Sequence, residues 1–287
     1  MTAATGPAVT WRAPLRSAEQ RLGSVRDARW VVERASGWEG GDLWRHVDDL
    51  APARAVAFLD GMVERRRAGE PLQYVLGRWS FRGLDLLVDR RVLIPRPETE
   101  VVAGAAVVAA RTLGGGRPKV VDLGTGSGAI GLAVAAEVPG ARVWATDVSP
   151  DALAVARANV AGSGSAVGTR VRLLQGDWWG ALPDELRGRV DVVVSNPPYV
   201  AGEEVLPPEV EGWEPGDALR AGRTGREALE VVVGGAPPWL ARPGVLVVEL
   251  APHQAEPLAD FARRVGFAGV RMVDDLAGRR RVLVARF

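Results

Sequence analysis

Cysteine is absent from this chain of 287 residues, which excludes disulfides, thiolate metal sites and cysteine nucleophiles. Histidine is nearly absent as well. His46 and His253 are the only two, and that scarcity argues against a histidine zinc site or a Ser-His-Asp triad. Lys119 is the only lysine, so arginine carries almost all of the positive charge. Alongside 35 glycines, this usage fits the codon bias of a GC-rich genome and says nothing about function. The net charge of +1 lacks the basic excess of a dedicated nucleic-acid binder. No stretch is apolar for long enough to span a bilayer, and the first residues lack the apolar core of a secretory signal. A cytoplasmic protein is expected.

The hydrophobic content of 47% and charged content of 25% are those of a globular protein. The length accommodates one large α/β domain with a small companion. Residues 1 to about 18 read as a loose tail rich in Pro, Ala, Thr and Arg. From Ala18 to about Ala68 the spacing is helical. Leu22, Val25 and the run Arg29 to Val32 are followed by Ala55, Leu59 and Met62 at i, i+4 and i+7. Asp48-Asp49 and Gly69 are placed as start and stop signals. A small helical bundle without chemically suggestive side chains is predicted there. Trp79 to Val88 then alternates around Arg82-Gly83 as a hairpin would. Pro97, Glu98 and Glu100 lead into an apolar helix from Val101 to Ala110, and on their own the two acids need no role beyond complementing its N-terminus.

Four strand ends carry the residues with chemistry to offer. After Lys119-Val120-Val121 comes Asp122-Leu123-Gly124-Thr125-Gly126-Ser127-Gly128, then a helix from Ala129 to Glu137. Glycines at this spacing permit a tight strand-to-helix turn and close approach of a ligand to the backbone. No Lys-Ser/Thr pair follows, so a phosphate-cradling loop is disfavoured. A second strand, Arg142 to Asp147, ends in an acid about twenty residues on, where a ribose would be gripped. A helix is predicted from Asp151 to Val160. The third strand, Val171 to Leu174, leads to Asp177-Trp178, an acid and an indole suited to an adenine amino group and ring face, although the indole could equally be a core residue. The fourth, Val190 to Val194, leads to Ser195-Asn196-Pro197-Pro198-Tyr199. Two prolines stiffen that backbone and remove two donors, so it offers acceptors to a planar N–H2 group and an aromatic ring to hold its plane. All four sites fall at C-terminal strand ends, where open α/β sheets bind ligands.

Beyond Tyr199, residues 201–225 are polar and rich in Pro and Gly, and read as a substrate-facing loop. A helix is predicted from Arg226 to Leu240, a fifth strand from Val245 to Leu250 and a helix from His253 to Val265. Two antiparallel strands, Val270 to Val273 and Arg281 to Phe287, close the chain.

Taken together and in this order, the Asp122–Gly128 turn, the Asp147 strand end, Asp177-Trp178 and Asn196 to Tyr199 resemble a class I S-adenosylmethionine-dependent methyltransferase. Two further segments, residues 71–77 (Pro-Leu-Gln-Tyr-Val-Leu-Gly) and 93–100 (Leu-Ile-Pro-Arg-Pro-Glu-Thr-Glu), are similar specifically to release-factor glutamine methyltransferases, the HemK/PrmC family. The resemblance runs over about residues 20 to 287 and is densest from Glu70 to Tyr199. The chain departs from the family's pattern in two places. Leu250-Ala251-Pro252 follows Glu249 where the family has a glycine-containing turn, and residues 216–225 replace a Gly-x-Asp-Gly pattern.

The resemblance implies an α/β fold of the class I methyltransferase (Rossmann-like) type. This is a doubly wound, mostly parallel seven-stranded sheet with an antiparallel last strand, plus an N-terminal helical bundle and a linking hairpin. It implies residues 1–69 as tail and helical substrate-docking domain, 70–95 as linking β-hairpin, and 96–287 as methyltransferase domain. S-adenosyl-L-methionine is the implied cofactor and S-adenosyl-L-homocysteine its product. Asp122, Gly124, Thr125, Gly126, Ser127, Gly128, Asp147, Asp177, Trp178 and Asn196 are the implied cofactor-binding residues. Asn196, Pro197 and Tyr199 are implied to be catalytic and, with Pro198, to bind the substrate. That substrate is the glutamine of the Gly-Gly-Gln motif of peptide chain release factors, methylated on its side-chain amide nitrogen. No metal, no membrane and no stable nucleic-acid partner is expected. Two rival readings compete. Adenine N6 presents the same planar N–H2 to the same tetrapeptide, as in nucleic-acid amino methyltransferases, and a binding module could keep the fold without activity.

Overall fold

The computed structural model describes residues 9–287. Contacts divide the chain into two units. The first comprises the described residues up to Arg78 together with Pro208–Trp213, and the second comprises Trp79–Pro207 and Glu214–Phe287.

In the first unit, helices Arg12–Leu22, Val25–Ser36 and Ala53–Arg67 bury Leu15, Val31, Val32, Leu59, Met62 and Val63. Residues 12–18, expected as tail, are helical instead. Trp11, Leu15 and Ala18 bury a stripe at i, i+4 and i+7, and Pro14 lies in the first turn, where its missing N–H is not needed. Residues 1–8 of that expected tail lie outside the described residues. The third helix begins at Ala53 rather than at Asp48-Asp49, because Pro52 holds the preceding backbone extended. Ser24 caps the second helix by accepting the Asp27 N–H at 3.2 Å, and the buried Asp27 carboxylate pairs with Arg66 at 2.9 Å. The 71–77 segment contributes a short helix, Leu72–Leu76, with Leu72, Tyr74 and Val75 buried. Its part in this unit is packing.

The chain then forms a hairpin, Arg78–Phe81 (β1) and Leu84–Leu87 (β2), whose turn residues Arg82 and Gly83 both have positive φ, 46° and 76°. Such a turn matches the twist of the strands it joins. The strained Arg82 is held from both ends. Its backbone N–H donates to Glu100 Oε1 at 3.1 Å, and its guanidinium spans Glu137 at 2.6 and 2.9 Å.

Seven strands build the second unit's sheet: Lys119–Leu123 (β3), Arg142–Asp147 (β4), Val171–Gln175 (β5), Val190–Ser195 (β6), Leu240–Glu249 (β7), Gly269–Asp274 (β8) and Arg280–Arg286 (β9). Their order is β5-β4-β3-β6-β7-β9-β8. Every neighbouring pair from β5 to β7 is parallel, and β9 runs antiparallel to both β7 and β8. This is the doubly wound sheet the resemblance implied. Successive residues of a strand serve opposite faces. Val120, Val192 and Val247 join the core on one side with helices Pro97–Thr112 and Ala129–Glu137, while Val121, Val193 and Leu246 join the other with Glu227–Gly235 and Ala255–Arg264. Both faces are covered, which is why the strands read as continuous apolar runs rather than as alternation.

Several boundaries differ from expectation. The helix predicted to reach Leu240 stops at Gly235, since Pro237-Pro238 cannot continue it, and β7 starts at Leu240 rather than Val245. The helix expected from His253 begins at Ala255, after a 3₁₀ turn over Pro252–Gln254. The helix expected from Val101 begins four residues earlier at Pro97, so the acidic segment ahead of it is its first turn.

Candidate active site

Strand order reverses between β3 and β6, which is the crevice where an open α/β sheet binds its ligand. Leu123 and Ser195 are in register across that pair, and the Ser195 hydroxyl donates to the Leu123 carbonyl at 2.7 Å. The glycine turn after β3 and Asn196 after β6 therefore leave the sheet side by side.

On the β3 side, Gly124, Gly126 and Gly128 all take positive φ, 68°, 55° and 85°, which only glycine adopts freely. The buried Asp122 braces the turn from below, its Oδ2 accepting from the Thr125 hydroxyl at 2.6 Å and the Gly131 N–H at 2.9 Å. Its Oδ1 is buried, and no donor among the described residues reaches it. Burial pushes this carboxyl up to about 6 against those two hydrogen bonds. At neutral pH it is a charge short of a partner. Asp147 ends β4 and bridges back to the same turn. Its Oδ2 accepts the Gly126 N–H at 2.8 Å and its Oδ1 the Ser149 N–H at 2.9 Å, leaving a lone pair on each oxygen. Burial raises this acid too. Ser127 offers its carbonyl to the Asn159 amide at 2.8 Å, tying the turn to the helix Pro150–Gly162. Of the adjacent indoles, Trp179 is structural. It donates to the Val231 carbonyl at 2.9 Å and stacks on Trp239. Trp178, half-buried with φ 42°, lays its ring over Gly124, while Asp177 beside it is exposed.

On the β6 side, Asn196, Pro197, Pro198 and Tyr199 line a cavity of about 350 Å³ together with Arg96, Glu249 and Arg281. Behind the cavity wall the side chains form one chain of hydrogen bonds. The Asn196 amide donates from Nδ2 to Thr99 Oγ1 at 3.2 Å, and the Thr99 hydroxyl donates to Glu249 Oε2 at 2.7 Å. The Tyr199 phenol donates to Glu249 Oε1 at 3.2 Å. Glu249 closes β7 and is 1% exposed, and burial pushes its carboxyl up to about 7 although both hydroxyls and Arg281 favour the charged form. Burial and the Glu249 charge in turn hold the Tyr199 phenol above its ordinary range.

The backbone of the tetrapeptide is fixed as firmly. Gln254, buried, donates from Nε2 to both the Tyr199 and Gly225 carbonyls at 3.0 Å, while its Oε1 accepts the Ala251 N–H at 3.0 Å. The 201–225 stretch contains two helical turns, Pro208–Glu211 and Gly216–Leu219. Arg220 ties it together, donating to the carbonyls of Ala201, Gly202 and Glu204 at 2.8–3.1 Å. Glu204, Leu206, Ala218 and Leu219 of this stretch reach the cavity wall. Glu214 anchors its far end, pairing with Arg96 and accepting the Ile94 N–H at 3.0 Å.

Sequence reasoning therefore missed Thr99, Glu214, Glu249 and Gln254. A signal for Thr99 was present, since it lies between the two acids that drew attention. Those acids face elsewhere: Glu98 pairs with Arg279 at 2.9 Å and Glu100 serves the hairpin turn.

Residues 101–209 match the model of the methyltransferase small domain family, and residues 13–77 that of the PrmC N-terminal domain. A release factor glutamine methyltransferase of Cereibacter sphaeroides is 38% identical over 280 residues, 95% of this chain and 96% of its own length. One of Moorella thermoacetica is 40% identical over 96% of this chain and 98% of its own. Among solved structures, a methyltransferase from Pyrococcus furiosus aligns over 71% of this chain and 89% of its own, with 21% identity and a TM-score of 0.50, a likeness of fold. At that level of identity over nearly the whole length, the chain belongs to the release factor glutamine methyltransferase family.

Proposed function

We propose that this protein transfers the methyl group of S-adenosylmethionine to the side-chain amide nitrogen of the glutamine in the Gly-Gly-Gln motif of peptide chain release factors. One observation carries the reading: Asn196 is held by its Nδ2, so its Oδ1 is free to accept from an N–H2 group in the cavity. The residues after β3 and β4 suit the cofactor. The unpaired Asp122 oxygen lacks a cation, which an ammonium would supply, and the spare lone pairs of Asp147 suit two ribose hydroxyls. Trp178 and Asp177 would flank the adenine. When bound, the sulfonium supplies an electrophilic methyl group.

The residues of the chain then have one task, which is to aim a poor nucleophile. An amide lone pair is delocalised into its carbonyl. Asn196 Oδ1 and the Pro197 carbonyl accept the two N–H hydrogens, and Tyr199 flanks the amide plane, turning the lone pair toward the methyl carbon. Orientation of this kind lowers a barrier by up to roughly 7–11 kcal/mol. No strong base is needed beforehand, because the nitrogen becomes acidic only as it is alkylated; it then sheds one proton to water as S-adenosylhomocysteine departs as the neutral thioether. Among the described residues the first unit holds no such constellation, and it exposes Trp44, Leu50 and Phe58, which supports a docking role toward a protein substrate. The double variant Trp44→Ala, Phe58→Ala is expected to raise KM for the release factor and leave kcat unchanged.

The test combines purified protein, radiolabelled S-adenosylmethionine and a recombinant release factor, beside a factor whose Gly-Gly-Gln glutamine is changed. Label on the unchanged factor alone is expected. Label entering total RNA or DNA instead would overturn the reading in favour of adenine N6.

A further inference from the structure

The chain of hydrogen bonds behind the cavity has a direction, and proton counting sets it. Above pH 7, where Glu249 is ionised, it can only accept, so the protons of both the Thr99 and Tyr199 hydroxyls point inward to it, at 2.7 and 3.2 Å. With its one proton committed, Thr99 Oγ1 can only accept from its remaining neighbour. The two ends of the Asn196 amide have the same shape and opposite polarity. Only the N–H2 end can therefore face Thr99, and the oxygen must face the cavity. Thr99 comes from the first turn of helix Pro97–Thr112, Glu249 from the end of β7, and Asn196 from the turn after β6. Three elements far apart in sequence meet to make one choice.

That choice matters because charge alone does not decide the ligand. Arg96 and Arg281 line the cavity together with Glu204 and Glu249, and Arg96 is already paired with Glu214, so a glutamate side chain, isosteric with glutamine, must be refused by hydrogen-bond polarity rather than by net charge. We propose that Glu249, acting through Thr99, sets the hydrogen-bond polarity of the substrate cavity and thereby its selection of a glutamine amide over a glutamate carboxylate. Glu249 is a positioning residue in this scheme and determines specificity without receiving the substrate. The inference rests on the reading that Asn196 receives the substrate amide.

In Glu249→Gln the carboxylate becomes an amide with one donor and one acceptor. The Thr99 proton is then free to turn toward Asn196, whose oxygen can swing inward and leave Nδ2 facing the cavity. An acceptor site becomes a donor site. Thr99→Val removes the relay altogether, and Thr99→Ser retains it.

The experiment measures, at pH 8.5 where Glu249 is ionised, methylation of a recombinant release factor by the full chain, inhibited by short peptides carrying either Gly-Gly-Gln or Gly-Gly-Glu. The wild type is expected to prefer the glutamine peptide by roughly 100-fold or more, since a site built to hydrogen-bond one group rejects the analogue lacking it by up to roughly 10⁴–10⁵-fold. In Glu249→Gln and Thr99→Val the preference should fall to within about threefold and kcat should drop by roughly 100-fold, as when a preorganised polar contact is lost. Calorimetric affinity for S-adenosylhomocysteine should be unchanged, and Thr99→Ser should recover the preference lost in Thr99→Val. A preference that stays intact in both Glu249→Gln and Thr99→Val, whatever happens to kcat, overturns the inference while leaving the proposed reaction standing. Should Glu249→Gln not fold, the Thr99→Val and Thr99→Ser pair decides the matter alone. Failure of the wild type to label the factor would instead remove the reading on which the inference rests.

Discussion

At pH 8 the Glu249→Gln protein should be more stable to unfolding than the wild type by about 3 kcal/mol, and at pH 4.5 the difference should vanish. The magnitude follows from the burial of one carboxyl. Glu249 titrates at about 7 in the folded protein against an ordinary value of 4.5. Burial is the dominant cause, and the nearby Glu98 carboxylate works in the same direction, while Thr99, Tyr199 and Arg281 oppose them. Below 4.5 both folded and unfolded chains hold the proton, and the charge plays no part. Between 4.5 and 7 the folded chain keeps a proton that the unfolded chain has released, so stability falls as pH rises, by about 1.4 kcal/mol per pH unit. Above 7 the loss is complete. Glutamine never ionises and escapes it. The substitution also orphans no donor, because the Thr99 and Tyr199 hydroxyls can rotate to meet an amide. Asp122, raised to about 6, produces a similar slope in both proteins and cancels in the difference. Urea unfolding followed by tryptophan fluorescence from pH 4.5 to 8.5 measures it directly. A difference that does not change with pH, or a variant less stable at pH 8, would refute the assignment of Glu249 as a buried, ionisable group.

Asn196→Ala removes the acceptor and the orientation it imposes, so kcat should fall roughly 10²–10³-fold while calorimetric affinity for S-adenosylhomocysteine changes little. Gly225→Ala should cost roughly 2 kcal/mol or more in thermal unfolding. Its Cβ would stand 2.6 Å from the Tyr199 carbonyl oxygen and 2.9 Å from the Ala201 nitrogen, in a backbone with φ +76°. Asp147→Ala leaves the Gly126 and Ser149 N–H groups without their acceptor and should destabilise by about 1–3 kcal/mol. It should also weaken S-adenosylhomocysteine binding, and Asp147→Asn, which keeps one acceptor, should lose less on both measures.

The parts of the molecule legible in the sequence were those governed by local rules. The apolar runs of β3, β4 and β6, the glycine turn and the two prolines after Asn196 each constrain their own few residues, and a reader of the chain can follow that constraint. The tail misread over residues 12–18 shows the limit of the same logic, since a proline that breaks a helix interior is harmless in its first turn. The substrate cavity was only half legible. Asn196 could be named because its neighbours announce it. Thr99, Glu249 and Gln254 could not, because their significance lies in partners 97, 50 and 55 residues away, to which no local pattern points. Gln254 lies just beyond the Leu250-Ala251-Pro252 departure from the family's pattern, and it holds the Tyr199 carbonyl in place.

Residues 97–100 show what residue type alone leaves out. In a helix, consecutive side chains point about 100° apart, so Glu98, Thr99 and Glu100 cannot address one site together. By residue type the two acids call for no more than a helix N-terminus, and the hydroxyl between them carries no signal of its own. Position gives the three their separate partners. Glu98 meets Arg279 and Glu100 meets a hairpin turn, both partly solvated contacts of modest worth. Thr99 is 4% exposed and sits between a buried carboxylate and the amide that faces the cavity. In that low-dielectric setting a single hydroxyl, able to donate once and accept at the same time, decides which end of Asn196 the cavity presents. A second carboxylate at this position would lack the proton that Glu249 receives and add a like charge beside it, so threonine or serine is the residue type the geometry requires.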